Sequence, residues 1–238
     1  MKAKVGAAAL AVAFSGAVFT GGASDGTVNV QSQGDTAFGT PAWAREVAYT
    51  IDGEAQDSVA GLFRLEDTLS GREILAWCVE LLQELNLPGE YDVNAISPTA
   101  AVAANLNKLF TTSYDMVVVE GESRGQTRNK AAGFQVAIWE IVSEGDGDLD
   151  LDEGSFILTG AERNGVISNA QKYLDRLDND TDAVYAYDFY SSDVRQDLVE
   201  SNRVVAAVPV PAAGPPPLLG LAGLGALQRR LKSFATDR

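Results

Sequence analysis

Apolar and polar residues alternate along several short stretches of the chain, and this period of two predicts β-strands. A loose lead-in is expected over residues 24–44, with at most a weak first strand before Thr40, because the stretch is rich in Gly, Ser, Thr, Asn and Gln. Later strands are predicted at residues 45–51, 60–65, 74–82, 156–158, 184–189 and 197–206.

Between these strands, apolar residues recur at helical spacing. A helix is predicted from Pro98 to Phe110, with Ser97 as its N-cap and the proline in the first helical position. Further helices are expected over residues 129–142 and 168–177. Strands at both ends with helices between them predict an α+β domain over residues 45–207. Its expected architecture is an antiparallel β-sandwich or barrel with a helical insertion.

The first 23 residues have the pattern of a secretory signal peptide. Two lysines precede an apolar run from Val5 to Phe19, and small residues at positions 21–23 form the cleavage region. The run is short and rich in Ala and Gly, which favours a removable signal over a permanent membrane anchor. The chain is therefore expected to be exported, with Ser24 as its first mature residue.

The last 31 residues, 208–238, combine prolines, an apolar segment and a basic end. The motif Val208, Pro209, Val210, Pro211, Ala212 precedes an apolar segment that is predicted to form a short transmembrane helix, and Arg229, Arg230 and Lys232 follow it. This arrangement resembles the VPxPA form of the PEP-CTERM sorting signals. The resemblance implies recognition by an exosortase-type protease and at least transient attachment to the inner membrane, in Gram-negative bacteria that make extracellular polysaccharide. An ordinary C-terminal anchor helix is the alternative.

Composition restricts the function of the region between the two signals. Twelve basic and 32 acidic residues remain there, and the resulting net charge of −20 excludes nucleic acid as a partner. The sequence has no histidine, so neither a Ser-His-Asp triad nor a Cys-His pair can form. With a single cysteine, Cys78, no intramolecular disulfide is possible. The expectation is a non-enzymatic surface domain that needs no cofactor.

Two short blocks carry the candidate chemistry. Trp77, Cys78 and Glu80 lie at the end of a predicted strand, and Gln135, Trp139 and Glu140 lie on a predicted helix. Together the blocks resemble the Cys-Gln thioester domains of bacterial surface adhesins. The resemblance implies that Cys78 and Gln135 join through an internal thioester, and the other four residues are expected to form its supporting pocket. Glu80 is expected on the same strand face as Cys78, with the two tryptophans as pocket walls.

A thioester would let the protein attach covalently to an amine or hydroxyl group of a surface or matrix component, either a polysaccharide or a protein. The alternative is a structural or polysaccharide-associated surface protein in which Cys78 stays reduced and buried, the usual fate of a free cysteine. In that case Gln135 forms only hydrogen bonds and Trp139 only packs.

A third possibility is a calcium-dependent glycan-binding module. Asp146, Asp148, Asp150 and Asp152 alternate in an acidic loop, and oxygen-rich loops bind calcium. The loop lacks the glycine that an EF-hand has at its sixth position, so a solvated loop is favoured. Glycan binding would also use exposed aromatic residues, for which Tyr185, Tyr187 and Tyr190 are the candidates; one face of a β-sheet is the simpler interpretation.

Overall fold

The computed structural model describes residues 19–40, 42–117, 121–160, 163–179 and 185–203. Residues 1–18 of the predicted signal peptide and the predicted sorting signal, Val208 to Ala212 included, lie outside the described residues. The strands are β1 Phe19–Gly21, β2 Gly26–Ser32, β3 Ala44–Ile51, β4 Glu54–Gly61, β5 Phe63–Asp67, β6 Glu73–Cys78, β7 Gly89–Val93, β8 Ile96–Pro98, β9 Phe156–Leu158, β10 Tyr185–Ser191 and β11 Leu198–Arg203. The α-helices are α1 Ala100–Ser113, α2 Arg124–Glu144 and α3 Arg163–Leu174, and a 3-10 turn follows α1 at Tyr114–Met116.

Six strands close into an antiparallel barrel in the order β10-β11-β6-β5-β2-β7. Strand β6 lies between β5 and β11, so the segment that ends at Cys78 is held by neighbours on both sides. Strand β2 replaces much of the loose lead-in predicted for residues 24–44. Val28 and Val30 alternate inward from β2 and are buried, which gives this strand the period of two that was expected only weakly.

Two smaller sheets complete the β-structure. Strands β4, β3 and β9 form a three-stranded antiparallel sheet, and β1 pairs with β8. Because β8 spans Ile96–Pro98, the predicted N-cap at Ser97 and helix start at Pro98 are wrong. The side chain of Thr99 caps α1 instead, by accepting a hydrogen bond from the backbone N–H of Val102.

Helix α2 is the longest helix of the described part, and it begins at Arg124, five residues before the predicted start at residue 129. A capping box between Ser123 and Gln126 fixes its start. Every residue from Ala131 to Val142 is buried, so the helix passes through the core rather than along the surface. Gly133 permits close contact with α3, because a Cβ there would lie 2.7 Å from Cβ of Asn169.

Phe134 on α2 joins the helices to the barrel. Its ring lies 4.7 Å from that of Trp77 on β6, 5.2 Å from Phe110 on α1 and 5.7 Å from Tyr173 on α3. These contacts place α2 between the barrel and the other two helices. The structure confirms the predicted fold class, an α+β domain with a closed antiparallel barrel and a helical insertion. None of the described helices is long and apolar enough to cross a membrane.

Candidate functional site

Cys78 and Gln135 are 57 residues apart in the chain and meet in the core. Cys78 is the last residue of β6, and Gln135 lies in the buried part of α2. The backbone N–H of Cys78 donates to Oε1 of Gln135 at 2.8 Å, and Nε2 of Gln135 donates back to the carbonyl oxygen of Cys78 at 2.7 Å. Both residues are only 1% exposed, so the glutamine amide is held against the cysteine backbone within the core.

This two-point contact resembles one step of a β-ladder in which a side-chain amide replaces the neighbouring strand. The ladder that β6 forms with β11 reaches Cys78, and the amide of Gln135 then pairs with the backbone of the same residue on another side. Because both polar atoms of the amide are bonded, its orientation is determined. The carbonyl carbon of Gln135 is thus held beside the residue that carries the thiol.

The thiol of Cys78 is protonated at neutral pH. Burial raises its pKa to about 12, and the negative charges of Glu80 and Asp197 act in the same direction. Its Sγ donates a hydrogen bond to the backbone carbonyl oxygen of Glu80. The indole N–H of Trp139 lowers the pKa of the thiol, although Nε1 has no partner at full hydrogen-bonding geometry in the described structure.

Aromatic side chains form one wall of the site. The ring of Trp139 lies 5.8 Å from Tyr49 and 6.2 Å from Phe156, and these two rings stack at 5.2 Å. Tyr49 is 2% exposed, and burial followed by the nearby Cys78 and Asp57 raises its pKa to about 12. The sequence pattern did not identify Tyr49 as a site residue, since it lies on β3, outside both motif blocks.

The site lies at the base of a groove of about 560 Å³. Cys78, Trp139 and Tyr49 line its interior, and Gln196 adds an amide that donates to the carbonyl oxygen of Glu80 at 2.9 Å. The outer walls come from β4 and from the loop after β6; their lining residues are Gln56, Asp57, Ser58, Val59, Leu81, Leu82, Gln83, Glu84 and Leu85. A molecule in this groove would approach Cys78 from solvent.

Trp77 is not part of this wall, so the expectation for it was wrong. Adjacent residues of a strand point to opposite faces, and Trp77 therefore points away from Cys78. It packs against Phe134 and lines a separate cavity of about 270 Å³ with Trp43, Leu75 and other residues.

Glu80 lies near Cys78, but for a different reason from the one predicted. Strand β6 ends at Cys78, so alternation along the strand does not place Glu80. Burial raises the pKa of Glu80, and burial together with Glu80 and Asp193 raises that of Asp197 to about 6. No sequence motif identified Asp197, which adjoins β11. The backbone N–H of Val79 donates a hydrogen bond to its carbonyl oxygen at 3.0 Å, and this contact brings Asp197 to the site.

Glu140 is buried on another side of α2. Five positions after Gln135 on a helix, its side chain points well away from that of Gln135. Burial raises its pKa to about 8, and its charged neighbours are Glu144 and Asp150 rather than Cys78. Its side chain is therefore buried on a different side of α2 and does not contribute to the predicted thioester pocket.

The acidic loop does not gather its carboxylates into a binding site. Across the described residues, no group of three or more acidic, cysteine or histidine side chains could hold a metal ion, and Asp146, Asp148, Asp150 and Asp152 form no such group. Asp150 accepts a backbone hydrogen bond from Asp152 at 2.9 Å, which stabilises a turn.

The tyrosines suggested for glycan binding are also placed differently. Tyr190 is 1% exposed, and its hydroxyl donates to Glu200, which Arg72 also contacts. Tyr187 is partly buried, and its ring packs against Phe110. Only the backbone of Tyr185 is described. Tyr187 and Tyr190 therefore belong to the core and offer no exposed aromatic platform.

Comparison with known proteins gives no match to a family model and none among curated proteins. Two solved structures are similar. The N-terminal thioester domain of a surface protein from Clostridium perfringens is 12% identical, with a TM-score of 0.38 over 67% of this chain and 100% of that one. The N-terminal domain of the Streptococcus pyogenes pilus tip adhesin Cpa is 16% identical, with a TM-score of 0.39 over 74% of this chain and 98% of that one.

Proposed function

We propose that Cys78 and Gln135 form an internal thioester and that the protein uses it once, without turnover, to attach covalently to a surface or matrix component. The observation that carries this proposal is the paired hydrogen bonding between the Gln135 amide and the Cys78 backbone. It fixes an electrophile next to the only thiol in the chain. Both residues are almost fully buried, which would slow hydrolysis of a thioester, and Cys78 lines a groove through which a target can approach.

Bond formation needs no outside reactant. The thiolate of Cys78 attacks the amide carbon of Gln135, and negative charge develops on Oε1. The backbone N–H of Cys78 already donates to that oxygen, as an oxyanion-stabilising group would. The C–N bond then breaks, and the nitrogen takes up the thiol proton and leaves as ammonia. The products are one thioester and one ammonia from one thiol and one amide.

The raised pKa of Cys78 makes this step slow. At pH 7 a thiol with a pKa of about 12 is ionised in about one molecule in 10⁵, and only the thiolate attacks. A reaction that occurs once in the lifetime of the protein tolerates such a rate. Because the thiolate fraction rises tenfold per pH unit in this range, alkaline conditions should accelerate formation.

In the capture of a target, the Gln135 carbonyl is again the electrophile, and the Cys78 sulfur is the leaving group. An amine of the target attacks the thioester carbonyl, the C–S bond breaks, and Cys78 takes up the proton that the amine loses. The target is left in amide linkage to Gln135, whereas a hydroxyl nucleophile would give an ester. The expected partner is a protein amine or a polysaccharide of the surface or matrix.

We also propose that residues 1–23 direct export and that an exosortase-type protease recognises residues 208–238 at the inner membrane. The basis is the sequence pattern of both ends. Expressing the chain with Pro209 and Pro211 replaced by alanine, beside the unaltered chain, tests this assignment. Retention of a higher-mass precursor in the membrane fraction is expected only for the altered chain.

The thioester is tested by intact mass. Unaltered protein should be lighter than its sequence mass by one ammonia, and methylamine should raise it by one methylamine. Cys78→Ala and Gln135→Met should both have their full sequence mass and should not react with methylamine. A full, unreactive mass in the unaltered protein, after prolonged incubation at pH 9 as well, would refute the thioester.

The second candidate is a structural surface protein in which Cys78 stays reduced. The hydrogen bond from Sγ to the Glu80 carbonyl and the high thiol pKa favour it. In that case a thiol reagent should label Cys78 stoichiometrically after denaturation, whereas a thioester would leave no free thiol until it is opened.

A further inference from the structure

Residues just before the expected mature N-terminus take part in the fold. Strand β1 pairs with β8 in antiparallel register, with Gly21 opposite Ile96. The pairing continues beyond β1, because the backbone N–H of Gly22 donates to the carbonyl oxygen of Ala95 at 2.6 Å. All of these residues on the β1 side precede Ser24, so a chain that began at Ser24 would lack this part of the fold.

The same stretch of chain continues into the barrel. The backbone N–H of Asp25 donates to the carbonyl oxygen of Val93 at 2.8 Å, and β2 pairs with β7 from Gly26 onward. Strands β1 and β2 therefore run one after the other along β8 and β7, which are themselves consecutive in the chain. A cut between Ala23 and Ser24 would fall inside this run of backbone pairing and would detach its first part from the domain.

Phe19 anchors this segment to the core. Its side chain is partly buried against the hydrophobic core, and its ring meets that of Phe189 on β10 edge-on, with 5.6 Å between the ring centroids. Within the described residues, β8 pairs only with β1. Without β1, the backbone of Ile96–Pro98 would therefore become an unpaired sheet edge, and the ring of Phe189 would lose an aromatic neighbour.

The sequence contains a second possible cleavage region further upstream. Residues 15–17 are Ser-Gly-Ala and residues 21–23 are Gly-Gly-Ala, so both have the small side chains of a cleavage site. A cut after Ala17 leaves an apolar run of ten residues from Val5 to Phe14, within the length of about 7–15 residues that is usual in signal peptides. Residues 15–17 lie outside the described residues, so this pattern is a property of the sequence, and β1 is the structural reason to prefer it.

We propose that a signal peptidase cuts the chain after Ala17, so that Val18 is the first mature residue and β1 stays in the domain. This assignment rests on the export proposed above and narrows its signal from residues 1–23 to residues 1–17. The step is the hydrolysis of one peptide bond. Water adds across the bond between Ala17 and Val18, which leaves a carboxyl group on the released signal and an amino group on the mature chain.

The N-terminal sequence of the exported protein tests the cleavage site directly. The full chain is expressed in a Gram-negative host, and the protein of the envelope fraction is sequenced from its N-terminus, a measurement that does not depend on how the C-terminal tail is processed. The expected first residue is Val18. A first residue of Ser24, or any other, overturns the assignment, whereas an uncleaved chain that stays in the cytoplasm overturns the proposed export as well.

Substitutions at the two candidate sites form a matched pair. Signal cleavage requires a small side chain immediately before the cut. Ala17→Leu should therefore leave most of the chain uncleaved, and Ala23→Leu should be cleaved to the same extent as the unaltered chain. The opposite pattern would assign the cut to the bond after Ala23.

The stability of the exported protein gives an independent readout. Phe19→Ala can affect the mature domain only if residue 19 is retained, and it should then lower the melting temperature by about 3–6 °C through loss of the aromatic contact. Leu69→Ala is the control, because Leu69 is 81% exposed, and it should change the melting temperature by less than about 1 °C. An unchanged melting temperature for Phe19→Ala would show that β1 is absent from the mature protein and would overturn the assignment.

Discussion

Gln135 is expected to stabilise the fold even when no thioester can form. In a Cys78→Ala background, the further change Gln135→Met keeps the length of the side chain but removes both of its hydrogen bonds. The backbone N–H and carbonyl of residue 78 then lose the partners that the Gln135 amide provides at 2.8 and 2.7 Å. Since an unsatisfied buried polar group costs about 1–3 kcal/mol, the double variant should lose about 2–6 kcal/mol of unfolding free energy relative to Cys78→Ala.

Urea unfolding of the two variants, followed by tryptophan fluorescence, measures this difference. Gln171→Met in the same background is the control, because the hydrogen bond that its amide donates to Asp175, at 2.8 Å, is exposed. That change should cost less than about 0.5 kcal/mol. A loss below about 1 kcal/mol for Gln135→Met would show that the paired hydrogen bonds do not hold α2 against β6.

Three further predictions concern the core and its charges. Gly133→Ala should destabilise the protein by about 1–3 kcal/mol in thermal or urea unfolding, because the added Cβ would lie 2.9 Å from the backbone nitrogen of Ala170. The control is Gly125→Ala, whose Cβ would have no neighbour closer than 3.9 Å and which should be neutral or slightly stabilising. Burial raises the pKa of Glu140 to about 8, so the native state keeps a proton that the unfolded state loses above about pH 4.5. The free energy of unfolding should therefore fall as the pH rises from about 4.5 to about 8. In urea titrations at several pH values, Glu140→Gln should flatten this slope, and an unchanged slope would count against the assignment. Arg72→Leu should lower the free energy of unfolding by about 1.5–3 kcal/mol, because the buried carboxylate of Glu200 then keeps only its hydrogen bond from the Tyr190 hydroxyl. Arg64→Leu breaks a more exposed ion pair with Glu73 and should lower it by less than about 1 kcal/mol.

The fold class followed from the sequence because buried strands and helices carry periodic apolar residues. The strand at residues 156–158 was predicted with its observed limits, and Ala44–Ile51 and Tyr185–Ser191 were predicted within two residues. Strand β4 was missed over most of its length, since its first residues are exposed on both faces and so have no apolar alternation. An edge strand of this kind is formed by pairing, which leaves no local pattern in the sequence.

The candidate site was only partly accessible from the sequence. The two motif blocks brought Cys78 and Gln135 into one hypothesis, and the structure places them in contact. The error over Trp77 was avoidable, because adjacent strand residues face opposite sides. Tyr49, Gln196 and Asp197 could not have been assigned, since they reach the site through sheet pairing and loop contacts over long distances in the chain.

The position of Gln135 within α2 has a mechanical consequence. In the proposed function, a target linked to Gln135 would release the cysteine, and a pulling force would enter the middle of α2 rather than the end of a barrel strand. All residues from Ala131 to Val142 are buried, and α2 packs against α3 at Gly133 and against β6 through Phe134. A tensile load at the proposed linkage would therefore have to separate α2 from both α3 and β6, so the attachment point would resist extraction through packing contacts on more than one side of the helix.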